Sequence, residues 1–181
     1  MNKIFGIGCS RTGTKSLSLS MQNFGFRVQH YPDAAAMLRR DFSILDDVDF
    51  ANDIPVSINY RNLDKHYPGS KFILTTRDKS TWLQSCGNMF FREKMIEKYK
   101  DTPQDEVFRK MYGGFSYFDE KAFSESYDAH CNDVISYFSD RSGDFLVLPV
   151  ELESQQKLEL LSRFTGRRAQ AEFYPHAHRT S

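Results

Sequence analysis

Residues 6–17 read "GIGCSRTGTKSL", directly after an apolar run. Gly8 and Gly13 let the backbone curl tightly, Thr12, Thr14 and Ser16 carry hydroxyl donors, and Arg11 and Lys15 carry positive charge. A helix that starts straight after such a loop leaves its first N–H groups without partners and adds the positive end of its dipole. The chemistry open to these residues is therefore the holding of an anion.

A nucleoside triphosphate is a poor match for that anion. Its loop requires the pattern G-x-x-x-x-G-K-[ST]. Gly8 and Gly13 have the right spacing, but Thr14 stands where the lysine belongs, and Lys15 and Ser16 come one residue late. On a helix one residue turns a side chain by about 100°. Lys15 would then point away from a β/γ-phosphate, which leaves Arg11 as the cation best placed inside the loop.

The run "RTGTKSL" after "GIGCS" resembles the 5′-phosphosulfate loop of the P-loop sulfotransferases. That family binds 3′-phosphoadenosine 5′-phosphosulfate (PAPS). The resemblance implies Arg11 as the loop cation, with Thr12, Gly13, Thr14, Lys15 and Ser16 around the 5′-phosphate. The family reads the 3′-phosphate with an Arg at a strand end and a Ser eight residues later on the next helix. "FILTTRDKSTWLQS" supplies Arg77 and Ser85 at that spacing. A guanidinium offers a planar fork of donors to phosphate oxygens. Taken singly, Arg77 reads better as a sheet-edge cap and Ser85 as a residue on a solvated helix face. It is the two motifs in order that carry the likeness, and they imply two separated cationic pockets gripping opposite ends of one adenosine.

Weaker likenesses lie in "LVLPVELES", in "FTGRRAQAEFYPHAH" and in the Tyr-x-x-His of "YDAH" at 127–130. The late Arg-Lys-Gly element of the hormone- and phenol-modifying members is not found. Arg167 and Arg168 are the candidates to replace it, or else are surface charges. The chain resembles the short, divergent bacterial-type members. The implied reaction moves a sulfuryl group from PAPS to a hydroxyl (or amine) of a small-molecule or glycan acceptor and leaves adenosine 3′,5′-bisphosphate (PAP). Arg11 and the loop amides would stabilise the leaving phosphate oxygen. No metal is expected, because a sulfuryl group carries less charge than a phosphoryl group and fixed cations can suffice.

The family's base is a His or a carboxylate just after a strand, ahead of the 3′-phosphate strand. "NDIPV" puts Asp53 there, with Asp47, Asp49 and His66 as reserves. Burial beside an acceptor would raise a carboxylate from its usual ~3.9 toward the working range. Asp53 reads equally as a turn residue ahead of a proline. His130 reads as a packed or surface histidine. His176 and His178 alternate on an extended tail with no third metal ligand in view. The aromatic run "YGGFSYF" (112–118) could wall an acceptor or adenine pocket or simply pack, and Trp82 reads as packing.

These groups need a frame. Residues 3–8, 26–31, 70–78 and 144–150 read as strands, and a further strand is expected around Phe42–Leu45. Helices are expected after the loop up to Gly25, over 32–40, from 57 to Pro68, over 80–90, through most of 92–141 with a break at Gly113–Gly114, and over 154–165 up to Gly166. Strands alternating with helices imply a parallel sheet covered on both faces. The fold expected is α/β, a P-loop NTPase-like three-layer sandwich forming one domain over 1–181, with a largely helical insertion at about 86–141.

The 24 Lys and Arg balance the 24 Asp and Glu, so nothing global points to nucleic acid or a membrane surface. Cys9, Cys86 and Cys131 are odd in number and far apart, which argues against a disulfide framework. With a strand beginning near Lys3 and no apolar run near ~18 residues, a soluble cytoplasmic protein is expected. Two rival readings stay open. One is a P-loop kinase or hydrolase, in which "FSILDD" would be a strand ending in a metal-binding Asp. The other is a non-catalytic adenosine-nucleotide-binding module. The acceptor and the oligomeric state carry no signal.

Overall fold

A computed structural model describes residues 3–90, 97–115 and 117–177. Five strands form one all-parallel sheet in the order β2-β3-β1-β4-β5. They are β1 (Ile4–Gly6), β2 (Val28–His30), β3 (Phe50–Asn52), β4 (Lys71–Thr76) and β5 (Phe145–Pro149). The helices are α1 (Thr14–Asn23), α2 (Ala34–Leu38), α3 (Ile54–Ser57), α4 (Tyr60–His66), α5 (Lys79–Phe90), α6 (Pro103–Met111), α7 (Glu120–Tyr137) and α8 (Ser154–Thr165).

The strands alternate between two cores, as their period of two requires. Phe5, Ala51, Phe72 and Leu74 face a cluster with Met37, Leu63, Val134 and Phe138 from α2, α4 and the α7 region. Ile4, Phe50, Ile73 and Leu148 face the other way, onto Leu17 and Met21 of α1 and Leu158 and Leu161 of α8. The result is the expected three-layer α/β sandwich. A third cluster, built on Trp82, Tyr112, Phe123 and Cys9, sits beyond the C-terminal strand ends. Among the described residues, no helix is long and apolar enough to cross a membrane.

One expected strand is corrected. Phe42–Leu45 is a 3-10 helix whose Phe42 and Leu45 are buried, and the strand of this region lies later, at Phe50–Asn52. This also removes the metal-binding reading of "FSILDD". Asp46 follows a helical turn and accepts the Tyr67 hydroxyl at 2.8 Å.

The sheet order places the site. After β1 the chain leaves toward β2, while after β4 it leaves toward β5, so the two connections diverge from neighbouring strands. Such a reversal opens a crevice at the carboxyl ends of the strands. Residues that follow β1, β3 and β4 border it: the glycine loop, Asp53 and Arg77.

Candidate active site

The loop from Gly8 to Gly13 is pressed onto β4. A Cβ at Gly8 would fall 2.0 Å from the Thr75 hydroxyl and 2.6 Å from its carbonyl oxygen, so only glycine fits. Gly13 turns into α1 with φ 88°, a left-handed conformation suited to glycine. No side chain caps the start of α1. The N–H groups of its first turn have no intrahelical acceptors, and the loop carries them to the crevice. Three side chains fix the loop. Ser57 Oγ donates to the Gly8 carbonyl at 2.8 Å, Trp82 Nε1–H donates to the Ser10 carbonyl at 2.8 Å, and the Ser10 N–H donates to the Tyr112 hydroxyl at 3.1 Å.

Arg11 adopts φ 68°, strained for a residue with a Cβ. Its Nε–H donates to Ser85 Oγ at 3.0 Å. Arg77 leaves the end of β4, donates from Nε to the Thr81 hydroxyl at 3.2 Å, and reaches the Arg11 carbonyl with Nη1 at 3.4 Å. Its backbone is bracketed by Tyr127, which accepts the Arg77 N–H at 3.0 Å and donates to the Arg77 carbonyl at 2.7 Å. One turn later on α7, His130 Nε2–H donates to the Ile7 carbonyl at 2.7 Å. Burial pushes the His130 imidazole below its ordinary range, so it is neutral at pH 7. Tyr127 and His130 thus brace the ends of the two strands that bear the cations.

Asp53 occupies the end of β3 with φ 85°. Its carboxylate accepts the Ile54 N–H at 2.8 Å, the Thr14 hydroxyl at 3.0 Å and the Ser10 hydroxyl at 3.4 Å. His30 Nε2 lies 3.4 Å from its Oδ2. Tyr31, next in the chain, has φ 53°, and burial pushes its hydroxyl well up from the usual range. Arg11, Tyr31 and Asp53 all line one cleft of about 310 Å³, so backbone strain gathers there.

Three comparisons bear on this arrangement. The family model described as "Sulfotransferase domain" matches residues 3–181. The chain belongs to the sulfotransferase family. A curated relative in Aspergillus versicolor, "Ava biosynthesis cluster protein M", is 28% identical over 109 residues, covering 48% of this chain and 42% of the relative. The chain thus spans less than half the length of that relative. Among solved structures, the fold matches "Crystal Structure of Sulfotransferase from Alicyclobacillus acidocaldarius" with a TM-score of 0.59 at 11% identity, covering 100% of this chain and 87% of that one.

Within this sulfotransferase-family cleft, the residues singled out from sequence divide. Arg11, Gly13, Thr14, Lys15, Ser16, Asp53 and Arg77 line it together. Ser85 touches it through Arg11. Thr12 does not open onto it. It is 1% exposed, and its hydroxyl donates to the Cys9 carbonyl at 2.6 Å and meets Thr75 Oγ1 at 2.7 Å. Thr14 gives its hydroxyl proton to Asp53, so the loop offers an anion backbone N–H groups rather than these two hydroxyls. Arg11, Ser85 and Arg77 form one continuous edge, because the Arg11 side chain spans the gap to α5.

Other candidates fall outside the cleft. Asp49 pairs with Arg27 at 3.0 Å and Asp47 is exposed, both at the opposite end of the strands, and His66 packs its ring against Phe42 and Tyr67. Arg167 donates to the Phe24 and Gly25 carbonyls, at the far end of α1, and Arg168 lines a separate groove beside α8. Trp82, Tyr112 and Phe123 pack, with the last two rings stacked 4.2 Å apart. Cys9 sits in the loop, but burial pushes its thiol well up, which makes it a packing group and not a nucleophile. Among the described residues, no cluster of three His, Cys, Asp or Glu could hold a metal ion.

His30, Tyr31 and His176 line the cleft without having been chosen from sequence, apart from His176 as a discounted metal ligand. The tail returns to the loop, where the Ala177 N–H donates to Ser16 Oγ at 3.1 Å. His178, Ser116 and residues 91–96 lie outside the described residues.

Proposed function

We propose that this chain moves a sulfuryl group from PAPS to a hydroxyl (or amine) of a small-molecule or glycan acceptor, without a metal. The observation that carries the reading is the meeting of Arg11, Ser85 and Arg77 along one edge of the cleft, at the mouth of an uncapped helix. The donor set suits a doubly phosphorylated adenosine. Backbone N–H groups and Arg11 meet one anionic end, and Arg77 offers its fork to the other. PAPS, when bound, supplies the sulfuryl group and a leaving 5′-phosphate oxygen.

The chain's own contribution is electrostatic and geometric. Arg11 and the first-turn N–H groups of α1 face the charge that develops on the leaving oxygen. They are held in advance by Trp82, Tyr112 and Ser57, so little reorganisation accompanies the step. Arg77 anchors the far end of the donor, and Tyr127 keeps its backbone in place. Asp53 lies across the loop at the acceptor side, and Tyr31, Met89 and Phe90 give that side an apolar wall. The three cysteines are free thiols, which agrees with a reducing, cytoplasmic setting.

The test is transfer of labelled sulfate from PAPS to a panel of phenols, alcohols and sugars. The reading expects transfer that survives a metal chelator and is lost in Arg11→Ala with the fold retained. PAPS binding with no transfer to any acceptor or to water would favour a binding module. Stabilisation by ATP with Mg²⁺, and none by PAP, would favour a kinase.

A further inference from the structure

Asn52 is fully buried at the end of β3, and its amide is fixed in orientation. Its Nδ2–H donates to the Thr14 carbonyl at 2.7 Å, which turns Oδ1 the other way. On that oxygen converge the Ser18 hydroxyl at 2.7 Å and His30 Nδ1 at 2.9 Å. An amide oxygen only accepts, so a bare Nδ1 would set two lone pairs against each other. Ser18 Oγ also lies 3.2 Å from Nδ1, but its proton goes to the shorter bond to Asn52 Oδ1, so Nδ1 carries a proton and Nε2 offers the free lone pair.

Nε2 faces Asp53 Oδ2 at 3.4 Å. The carboxylate is already engaged by the Ile54 N–H and by the Thr14 and Ser10 hydroxyls. The His30 side chain keeps 32% of its surface exposed against 11% for Asp53, so an acceptor in the cleft reaches the imidazole more readily. Their meeting is a consequence of the sheet, because His30 and Asn52 are register partners on β2 and β3.

We propose that His30 takes the acceptor's proton through Nε2, and that Asn52 and Asp53 are positioning residues. Asn52 fixes the tautomer, and Asp53 faces the imidazolium that forms. The proposal rests on the sulfuryl-transfer reading. In the step, the acceptor O–H bond breaks and its proton goes to Nε2. The oxygen's electron pair forms the new O–S bond. The bond from sulfur to the 5′-phosphate oxygen breaks, and its electron pair stays on that oxygen, beside Arg11 and the loop amides. His30 then passes its proton to water. The other charged or titratable groups lining the same cleft are Arg11, Lys15, Tyr31, Arg77 and His176.

Two measurements on the full chain decide it. In ¹⁵N-labelled protein, two-bond ¹H–¹⁵N correlations report each ring nitrogen, with His30 assigned by its loss in His30→Gln. The expected result is a protonated Nδ1 and a bare Nε2, with Asn52→Ala releasing that preference. A bare Nδ1 with protonated Nε2 overturns the proposal. The second measurement is PAPS consumption, with water or phenol as acceptor, beside the Kd for PAP. His30→Gln is expected to hold the Kd within about twofold and to slow transfer by about 10²–10⁴-fold, the span of general base catalysis. An unchanged transfer rate overturns the proposal. Failure of the wild-type chain to bind PAP defeats the sulfuryl-transfer reading instead, and is distinguished from these outcomes by the Kd alone.

Discussion

At the N-terminal edge of the sheet the cations are spent on the protein itself. Lys3 Nζ donates to the carbonyls of Leu45, Asp46 and Val48 at 2.6, 3.0 and 2.9 Å, and Lys71 Nζ donates to the Phe164 carbonyl at 2.8 Å. Arg141 holds Asp64 with bonds of 2.6 and 3.0 Å. At the C-terminal edge, among the described residues, Arg11 and Arg77 meet only hydroxyls and one carbonyl, and no carboxylate. Helix α1 repeats the contrast along its own axis. Arg167 seals its carbonyl end, whereas its amide end opens on the cleft. One edge uses positive charge to satisfy the fold, and the other holds it ready for an anion.

The contrast breaks most sharply at Arg11. Arg11→Gly should lower sulfuryl transfer by about 10²–10³-fold, the usual cost of losing a transition-state donor. Its unfolding midpoint should not fall, because glycine accepts the positive φ that arginine strains to hold. A rate assay paired with a thermal melt checks both halves. Next comes Arg77→Ala, which should weaken PAP binding by roughly 10–100-fold, since charge-assisted hydrogen bonds contribute about 1.5–3 kcal/mol. Titration calorimetry reads this directly.

The far edge should answer in the opposite way. Asp64→Asn breaks a half-buried pair and should cost about 1–3 kcal/mol of stability while leaving PAP affinity untouched. Urea unfolding beside calorimetry separates the two effects.

Acid should act first on these braces and pairs. Burial holds His130 below its ordinary range, so its contribution is full above about 6.5 and declines as pH falls past that value. Below about 4 a second loss follows, as the depressed carboxylates take up protons. Asp49 is held low by the hydrogen bond from Arg27, and Asp133 by the Tyr60 hydroxyl. At Asp64, burial acts upward but is outweighed by Arg141 and Tyr137. Unfolding midpoints should therefore be flat from pH 8 to 7, slope gently to 5 and drop below 4. The smallest effect belongs to Lys15, which is exposed at the cleft rim. Lys15→Ala should weaken PAP only a few-fold, and more so at low salt.

Much of the frame was legible because it is local. The apolar runs at β1, β4 and β5, the Asp33 cap of α2 and the Gly166 stop of α8 each announce themselves within a few residues. The glycine loop and Arg77 were legible as motifs, and the sheet order brings them together. β3 was misplaced because three residues buried on both faces show no alternation, while Phe42 and Leu45, spaced for a helical turn, look as apolar as a strand. His30 and Asn52 were missed for a different reason. They are 22 residues apart, and only the register of β2 on β3 makes them neighbours. The Tyr-x-x-His spacing of Tyr127 and His130 was legible as a likeness, but their bracing role was not, because they reach 50 and 123 residues back along the chain.

The most direct test compares PAP with adenosine 5′-monophosphate on the wild-type chain and on Arg77→Ala, by titration calorimetry without Mg²⁺. The account predicts that the wild type prefers PAP by at least tenfold and that the preference collapses in Arg77→Ala. A preference that survives the substitution, or an affinity that appears only with ATP and Mg²⁺, would contradict it.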